Sequence, residues 1–349
     1  MRSTYLNEDV ELLLKDITGL VEPQSTEERE KLIQSGRHYC EMLPIEYVPT
    51  DQYMDVYNEA LQIFSKSTAD AIGKMSDKII AKKGKNVVLV SLARAGIPIG
   101  ILAKRFIKKK YAYNVPHYSI SIIRGKGIDD NAMQYILKRH KPEQIMFIDG
   151  WIGKGAILNE LKKDLRAYEG VSDDIAVVAD PANVTELCGT HKDILIPSSC
   201  LNCTISGLIS RTFLRDDIIW KNDFHGAVFY ENLKEVDLSY EFINCIEEKF
   251  NVMDTTEDEP MVGKGIDEVT RIVDKFNISD INFVKPGIGE TTRVLLRRVP
   301  WKVLINPADK NDISLRHVIR LAEEKNVNIE YFSMKNYKCC GIIKKMADI

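Results

Sequence analysis

The stretch Asp149-Gly150-Trp151-Ile152-Gly153-Lys154-Gly155-Ala156 sets a carboxylate, a lysine and glycines at the end of the apolar run Gln144–Ile148. Such a loop can seat phosphate on its amides at the opening of a helix, with Lys154 as counter-charge. Asp149 there can accept hydrogen bonds from sugar hydroxyls or help hold a magnesium ion. Arg94-Ala95-Gly96 ends another β-branched run, Asn86–Ser91, and offers backbone N–H groups to an anion. A third turn, Arg124-Gly125-Lys126-Gly127, is cationic, rich in glycine and expected to be mobile. Each turn alone is equally a strand-to-helix connection shaped by glycine for packing. Three on one sheet edge point to a polyanion site. It is not a P-loop, because Gly155 stands where that motif needs Ser or Thr, and no G-x-G-x-x-G follows the first strand.

Positioning these turns requires alternating strands and helices. Strands are expected at Asn86–Ser91, Val115–Ile123, Gln144–Ile148, Ile175–Ala179 and Asp193–Pro197. Helices are expected at Ile97–Lys108, Asp129–Lys138 and from Ala156 to Lys163. That alternation reads as an open parallel α/β sheet, whose ligands bind outside the C-terminal ends of the strands. Residues 1–80 show no clear strand run. Val56, Ala60, Leu61, Phe64 and Ile72 keep helical spacing, as do Ile17, Leu20 and Val21, so this part reads as a helical extension packed on the core at 81–250. The polar, acidic residues 251–262 read as a linker. Beyond it, helices at Asp267–Phe276, Glu290–Val299 and Ser314–Lys325 alternate with strands at Ile281–Val284, Lys302–Ile305 and Ile329–Phe332. Residues 263–349 therefore form a small α/β sandwich expected to fold by itself.

The chain has 349 residues, 44% of them hydrophobic and 28% charged, the balance of a folded multidomain protein rather than a disordered one. Residues 261–349 hold 16 Lys+Arg against 11 Asp+Glu, a net +5, while the rest carries −8 to give the total of −3. No apolar run approaches the length of a membrane-spanning helix, and Met1–Leu20 does not read as a signal peptide. Seven cysteines in such a chain read as cytosolic thiols, and the expected location is the cytoplasm. Cys200 and Cys203 invite comparison with a cysteine nucleophile, with His191 and His225 on either side, or with half a zinc site. The adjacent Cys339-Cys340 is a poor second half. His38-Tyr39, in a polar, aromatic segment, either reaches the pocket or leaves the histidine on a helix surface, and Trp151 either stacks on a base or ribose or packs against the N-terminal helices.

An Arg-Ala-Gly turn after a strand, a basic flexible loop, and a strand ending in an acid-plus-glycine loop together resemble type I phosphoribosyltransferases. Residues 30–250 resemble one branch of them, the phosphoribosyltransferase-like proteins of bacterial tellurium-resistance and stress gene clusters, some labelled cysteine protease StiP. The stretches that carry this are Gly36–Pro44, Ser91–Pro98, Tyr118–Arg124, Phe147–Ala156 and Ser206–Thr212. The resemblance implies that Arg94, Ala95 and Gly96 contact pyrophosphate, and that Asp149, Gly150, Trp151, Gly153, Lys154, Gly155 and Ala156 form the loop for phosphoribosyl pyrophosphate (PRPP). Asp149, Lys154 and Arg124 are the expected catalytic residues, Asp149 the expected magnesium ligand, and Lys126 an expected substrate contact. Two departures stand out: Gly150 replaces the second acid of ordinary phosphoribosyltransferases, and Gly153, Lys154 and Ala156 replace their threonine hydroxyls.

Pro286–Arg293, at the start of a helix bearing Arg297 and Arg298, resembles the Gly-x-Asn-Glu-x-Thr-Lys motif of the L7Ae/Pelota-type RNA-binding fold. Gly287, Glu290, Thr292 and Arg293 match it or change it conservatively, and Gly289 stands in place of the asparagine. The resemblance implies RNA contacts by Gly287, Gly289, Glu290, Thr292, Arg293, Arg297 and Arg298. The alternative is a docking domain whose arginines line a solvated helix face. The expected function is thus a phosphoribosyltransferase-like enzyme that uses PRPP, or a related phosphoribosyl or nucleotide ligand, with Mg2+ to make a nucleoside- or nucleotide-like metabolite. It has RNA as a further partner, no membrane, and room for homo-oligomerisation. The rivals are a nucleotide-sensing RNA-binding protein without turnover, and a cysteine hydrolase.

Overall fold

The computed structural model describes residues 1–253 and 260–346, so the centre of the expected linker lies outside the described residues. Its elements in chain order begin with β1 (Glu11–Leu12), α1 (Thr26–Gln34), α2 (Asp51–Lys83) and β2 (Val88–Leu92). They continue with α3 (Gly96–Tyr111), β3 (His117–Ile120), α4 (Asp130–Leu137), β4 (Ile145–Trp151) and α5 (Ala156–Asp164). β5 (Ile175–Ala179), β6 (Cys188–Thr190) and α6 (Ser239–Glu247) complete the first domain. The second holds α7 (Gly265–Lys275), β7 (Val284–Pro286), α8 (Ile288–Arg297), β8 (Pro300–Ile305), α9 (Arg316–Glu324), β9 (Asn328–Tyr331) and β10 (Cys339–Ile343).

Among the described residues the first domain carries a six-stranded sheet in the order β1-β3-β2-β4-β5-β6, every pair parallel. β2 is buried along its whole length, as a central strand covered on both faces must be. The chain runs from β2 outward to β3 and then returns across β2 to β4. A crevice therefore opens beyond the C-terminal ends of β2 and β4, where the order reverses. The second sheet, β7-β10-β8-β9, is antiparallel except for the pair β8–β9.

Helix α2 is the beam between the domains. Thr50 caps its start by accepting from the Tyr53 amide, and Gly84, at φ 70°, ends it after Lys82 and Lys83. Its 33 residues span roughly 50 Å, enough to pack on α3, α6 and β6 and still meet α9. There Arg316 pairs with Glu59, and Glu324 accepts from Tyr47 and Thr50.

Several expectations are corrected here. The N-terminal extension is not wholly helical: Glu11–Leu12 joins the sheet edge beside β3, and Lys15–Asp16 pairs with Gly226–Ala227, so Ile17 is buried without belonging to a helix. Strands of two residues are too short to show a period. The fifth strand after Ile175–Ala179 is Cys188–Thr190 rather than Asp193–Pro197. Leu195 and Ile196 are apolar and buried, but Asp193 carries the backbone away to meet α8. In the second domain Ile281–Phe283 is a 3₁₀ turn leading into β7. Strand β10 has no counterpart in the sequence reading. Cys-Cys-Gly-Ile-Ile is buried on both faces between β7 and β8 and so shows no alternation.

The second domain has a core of its own and shares a further apolar cluster with the first. Val269, Ile272, Val284, Leu304, Tyr337 and Ile342 form a core of its own. Ile288, Leu295, Leu296, Val318 and Leu321, from α8 and α9, instead belong to one continuous apolar cluster with α2, α3 and β4 of the first domain. We therefore expect a single cooperative calorimetric transition for the full chain. Two well-separated transitions would show that the shared core contributes little to stability.

A candidate anion cleft between the two domains

The first wall of the cleft is the turn after β2 and the loop after β4. The Ala93–Arg94 peptide is cis, and α3 begins at Gly96. A Cβ at Gly96 would lie 2.6 Å from the Ile148 carbonyl oxygen, so only glycine lets this turn lie against the end of β4. The Asp149 carboxylate emerges there, with one oxygen accepting from the Gly150 amide at 2.7 Å. Burial pushes its pKa up to about 6, against the opposing pull of Arg293 and of that amide.

The second wall comes from the C-terminal domain. A Cβ on Gly153 would sit 2.7 Å from Cγ of Glu290, and one on Gly289 would enter the Trp151 ring at 2.3 Å. The two domains meet backbone against side chain. Tyr337 donates to the Gly153 carbonyl at 2.7 Å. Asp193 accepts from the Ile288 amide at the start of α8 (3.0 Å) and from Lys338 (2.9 Å). Arg297 donates to Asn202, and Arg298 makes a two-pronged pair with Glu30. Between the walls lie two adjoining lobes of about 270 and 260 Å³, one over the 151–156 loop and the other over the 93–95 turn. Tyr39, Asp149, Arg211, Lys285, Arg293 and Arg298 face both.

Asp149, Arg124, Arg94, Ala95, Trp151, Gly153, Lys154, Gly155 and Ala156 all line this space, but several side chains have other partners. Lys154 does not stand free as a phosphate counter-charge: its ammonium donates to the Ile281 (2.5 Å) and Val284 (3.0 Å) carbonyls of the C-terminal domain. Burial and Lys285 lower its pKa to about 8. The Arg94 guanidinium turns to Glu46 and the Ile209 carbonyl in a buried pair. Arg124 bridges to Asn282, and its amide donates to Tyr39. Lys126 is exposed and outside the lining. Its loop, expected to be mobile, is tied to α5 by Gly125 donating to Glu160 and Ile128 donating to Asp164. Trp151 packs against the apolar cluster of the first domain, and Arg293 covers its ring at 4.2 Å, so the ring does not stand open for a base.

The residues expected to meet RNA also face inward. Gly287, Gly289 and Thr292 are buried, and Glu290 and Arg293 pair with each other at the cleft wall. Arg297 and Arg298 are held by the first domain, so the solvated arginine face is corrected as well. Arg211 and Lys285 were not singled out from the sequence. Arg211 lies in the stretch Ser206–Thr212, stacked over Tyr39 at 4.4 Å. Lys285 sits in a strand beside the Gly-Glu motif, and its ammonium has no hydrogen-bonding or ion-pair partner among the described residues. Its pKa is lowered to about 8 by burial against the opposing pull of Glu290.

The cysteines divide. Cys200 and Cys203 are buried, and burial raises both thiols, Cys203 to about 12. Neither is hydrogen-bonded to His191 or His225 among the described residues: His225 bonds Ser121, and His191 bonds Cys188. Cys188 Sγ lies 3.5 Å from His191 Nε2, and His191 Nδ1 is 3.6 Å from an Asp180 carboxylate oxygen. No group of three or more His, Cys, Asp or Glu among the described residues could hold a metal ion, a paired-cysteine zinc site included.

Comparison with known proteins fits the two-part architecture. The family described as tellurite-like stress resistance cysteine protease StiP matches residues 3–247, and the PELOTA RNA binding domain matches residues 263–345. A protein of Acinetobacter baylyi (strain ATCC 33305 / BD413 / ADP1), described as cysteine protease StiP, is 35% identical over 364 residues, 98% of this chain and 94% of that one. This chain belongs to the StiP family. Among solved structures, a hypoxanthine-guanine phosphoribosyltransferase from Bacillus anthracis str. 'Ames Ancestor' is 15% identical, covering 35% of this chain and 71% of its own, with a TM-score of 0.26. A hypothetical protein from Neisseria gonorrhoeae with bound ppGpp is 12% identical, covering 39% and 70%, with a TM-score of 0.21. Overlaps at that level carry no argument about ligand or reaction. No helix among the described residues of this StiP-family chain is long and apolar enough to cross a membrane.

Thiol reactivity separates the cysteines of this family member. Brief alkylation of the native protein should modify the half-buried Cys245 and leave Cys200 and Cys203 intact, read by peptide mass spectrometry. Rapid modification of Cys200 or Cys203 would contradict the burial described here.

Proposed function

We propose that the cleft binds a phosphoribosyl ligand of the PRPP class, and that the chain is a transferase that displaces pyrophosphate to make a nucleoside- or nucleotide-like metabolite. The observation that carries this reading is the surroundings of Asp149. A carboxylate near a strand end, at the reversal point of a parallel sheet, lines a cavity rich in arginine and lysine. In the proposed reaction the bond from the anomeric carbon to the pyrophosphate oxygen breaks, and one to the acceptor base forms. The carboxylate of Asp149 orients the ribose hydroxyls, the amides after β4 receive the 5′-phosphate, and the cations opposite stabilise charge on the leaving group. Asp149 also fits magnesium that arrives with the ligand, because Mg2+ is commonly held by one or two carboxylates together with substrate phosphates. The ion would supply further charge neutralisation.

A second reading is favoured by the family's description and by the contact of Cys188 with His191 and of His191 with Asp180. A cysteine hydrolase needs a thiolate beside an imidazole held by a carboxylate. Cys188 is only 1% exposed, so a peptide carbonyl would have to displace its cover. The two readings diverge under substitution: Cys188→Ser abolishes hydrolase activity and leaves transfer intact, whereas Asp149→Asn does the reverse.

Release of pyrophosphate from PRPP with magnesium and candidate bases tests the transferase directly. Asp149→Asn keeps shape and removes charge, losing charge-assisted hydrogen bonds of about 1.5–3 kcal/mol each. PRPP affinity should drop roughly tenfold or more by calorimetry while folding survives. Unchanged affinity would place the sugar elsewhere.

The pH dependence follows from the same groups. Asp149 is ionised above about pH 6, whereas Lys154 and Lys285 hold their protons below about pH 8. Affinity should rise as pH passes upward through the first value and fall as it passes through the second. A flat profile from pH 5 to 9 would remove Asp149 and Lys285 from the site.

A further inference from the structure

The C-terminal domain matches an RNA-binding family, yet it turns the relevant residues into the cleft. Across the two lobes the lining holds eight Lys and Arg side chains against Asp149 and Glu290. Even with Glu30 and Glu46 counted behind Arg298 and Arg94, the surplus is four positive charges. Two of these cations lack a hydrogen-bonding or ion-pair partner among the described residues, and they come from opposite walls: Arg211 from the first domain and Lys285 from the second. Like charges collected in a partly desolvated space repel one another; burial lowers the pKa values of Lys285 and Arg211, and neighbouring arginines add to it. A bound polyanion removes the repulsion.

We infer that the C-terminal domain is the closing half of the anion site, with Lys285 and Arg293 contacting phosphoryl oxygens of a compact ligand that carries about four negative charges and bridges the domains. This rests on the anion-cleft reading above but not on transfer chemistry. An RNA using residues 287–293 would have to lift α8 from Asp193, Trp151 and Gly153, whereas a diphosphate-sized ligand fits between the walls as they stand. Ligand binding and domain docking are then linked: whatever binds only the docked form also stabilises it.

The test uses the full-length chain and inorganic pyrophosphate, with PRPP as a parallel arm, titrated into wild type, Lys285→Met and Arg211→Met. Methionine keeps an unbranched apolar stem without the charge, and a thermal scan of each variant checks that folding is retained. Each substitution should weaken pyrophosphate binding tenfold or more. In wild type, pyrophosphate should slow hydrogen exchange at the Ile288 and Lys338 amides bound by Asp193, and this slowing should be reduced in Lys285→Met. Wild-type affinity and protection in Lys285→Met, with binding lost in Arg211→Met, would overturn the inference, because the first domain would then hold the anion alone. RNA binding that persists in saturating pyrophosphate and is lost in Arg293→Met would also overturn it. Lys285-dependent pyrophosphate binding without PRPP turnover would leave the inference standing and remove the transferase reading. Failure of wild type to bind either compound would remove both.

Discussion

The structure depends on one contact, the seating of the first turn of α8 on the end of the parallel sheet. Asp193 supplies a carboxylate to the Ile288 and Lys338 amides, Tyr337 reaches the Gly153 carbonyl, and Gly153 and Gly289 let the walls approach to within a side chain's thickness. The buried Asp193 carboxylate, its pKa raised to about 6, is tolerated because those amides and Lys338 face it. Without this joint there is no cleft, only two domains each with half its lining.

The joint also decides the electrostatics. Spread over two separate surfaces, the arginines and lysines would be solvated and nearly independent. Brought together they share a small volume with two carboxylates. Several are held by fixed partners: Arg94 by Glu46, Arg298 by Glu30, Arg297 by Asn202, and Lys154 by two carbonyls. These interactions order the walls, while Asp149, Arg211 and Lys285 are left facing the cavity. The same residue types thus serve two purposes, and only the geometry separates them.

The family's protease description and the cleft point in different directions, and the structure keeps them apart in space. The Cys188–His191–Asp180 chain of contacts lies at the edge strand β6, whereas Asp149 lies near the C-terminal end of β4, with β5 between them. Cys200 and Cys203, the pair that stands out in the sequence, are buried thiols. A CxxC spacing makes two sulfurs neighbours along the chain, and nothing in it brings an imidazole or a metal to them.

The sequence by itself determined the parallel α/β domain, the second α/β domain, and the place of the 94–96 and 149–156 turns on one sheet edge. Those features follow from local periodicity and from glycine at strand ends. It also carried the family, through long ordered stretches rather than any single motif. It did not determine β1, β6 or β10, because a two- or three-residue strand has no period and a doubly buried strand has no alternation. Nor could it assign partners to charged side chains. Lys154 reads as a phosphate ligand in any loop of that composition, and only tertiary structure supplies the carbonyls that bind it. The 287–293 motif reads as an RNA surface until the fold places Trp151 and Asp193 against it. A motif records which groups are present, but which way they face depends on contacts between residues 95 or more positions apart, and no local pattern encodes those.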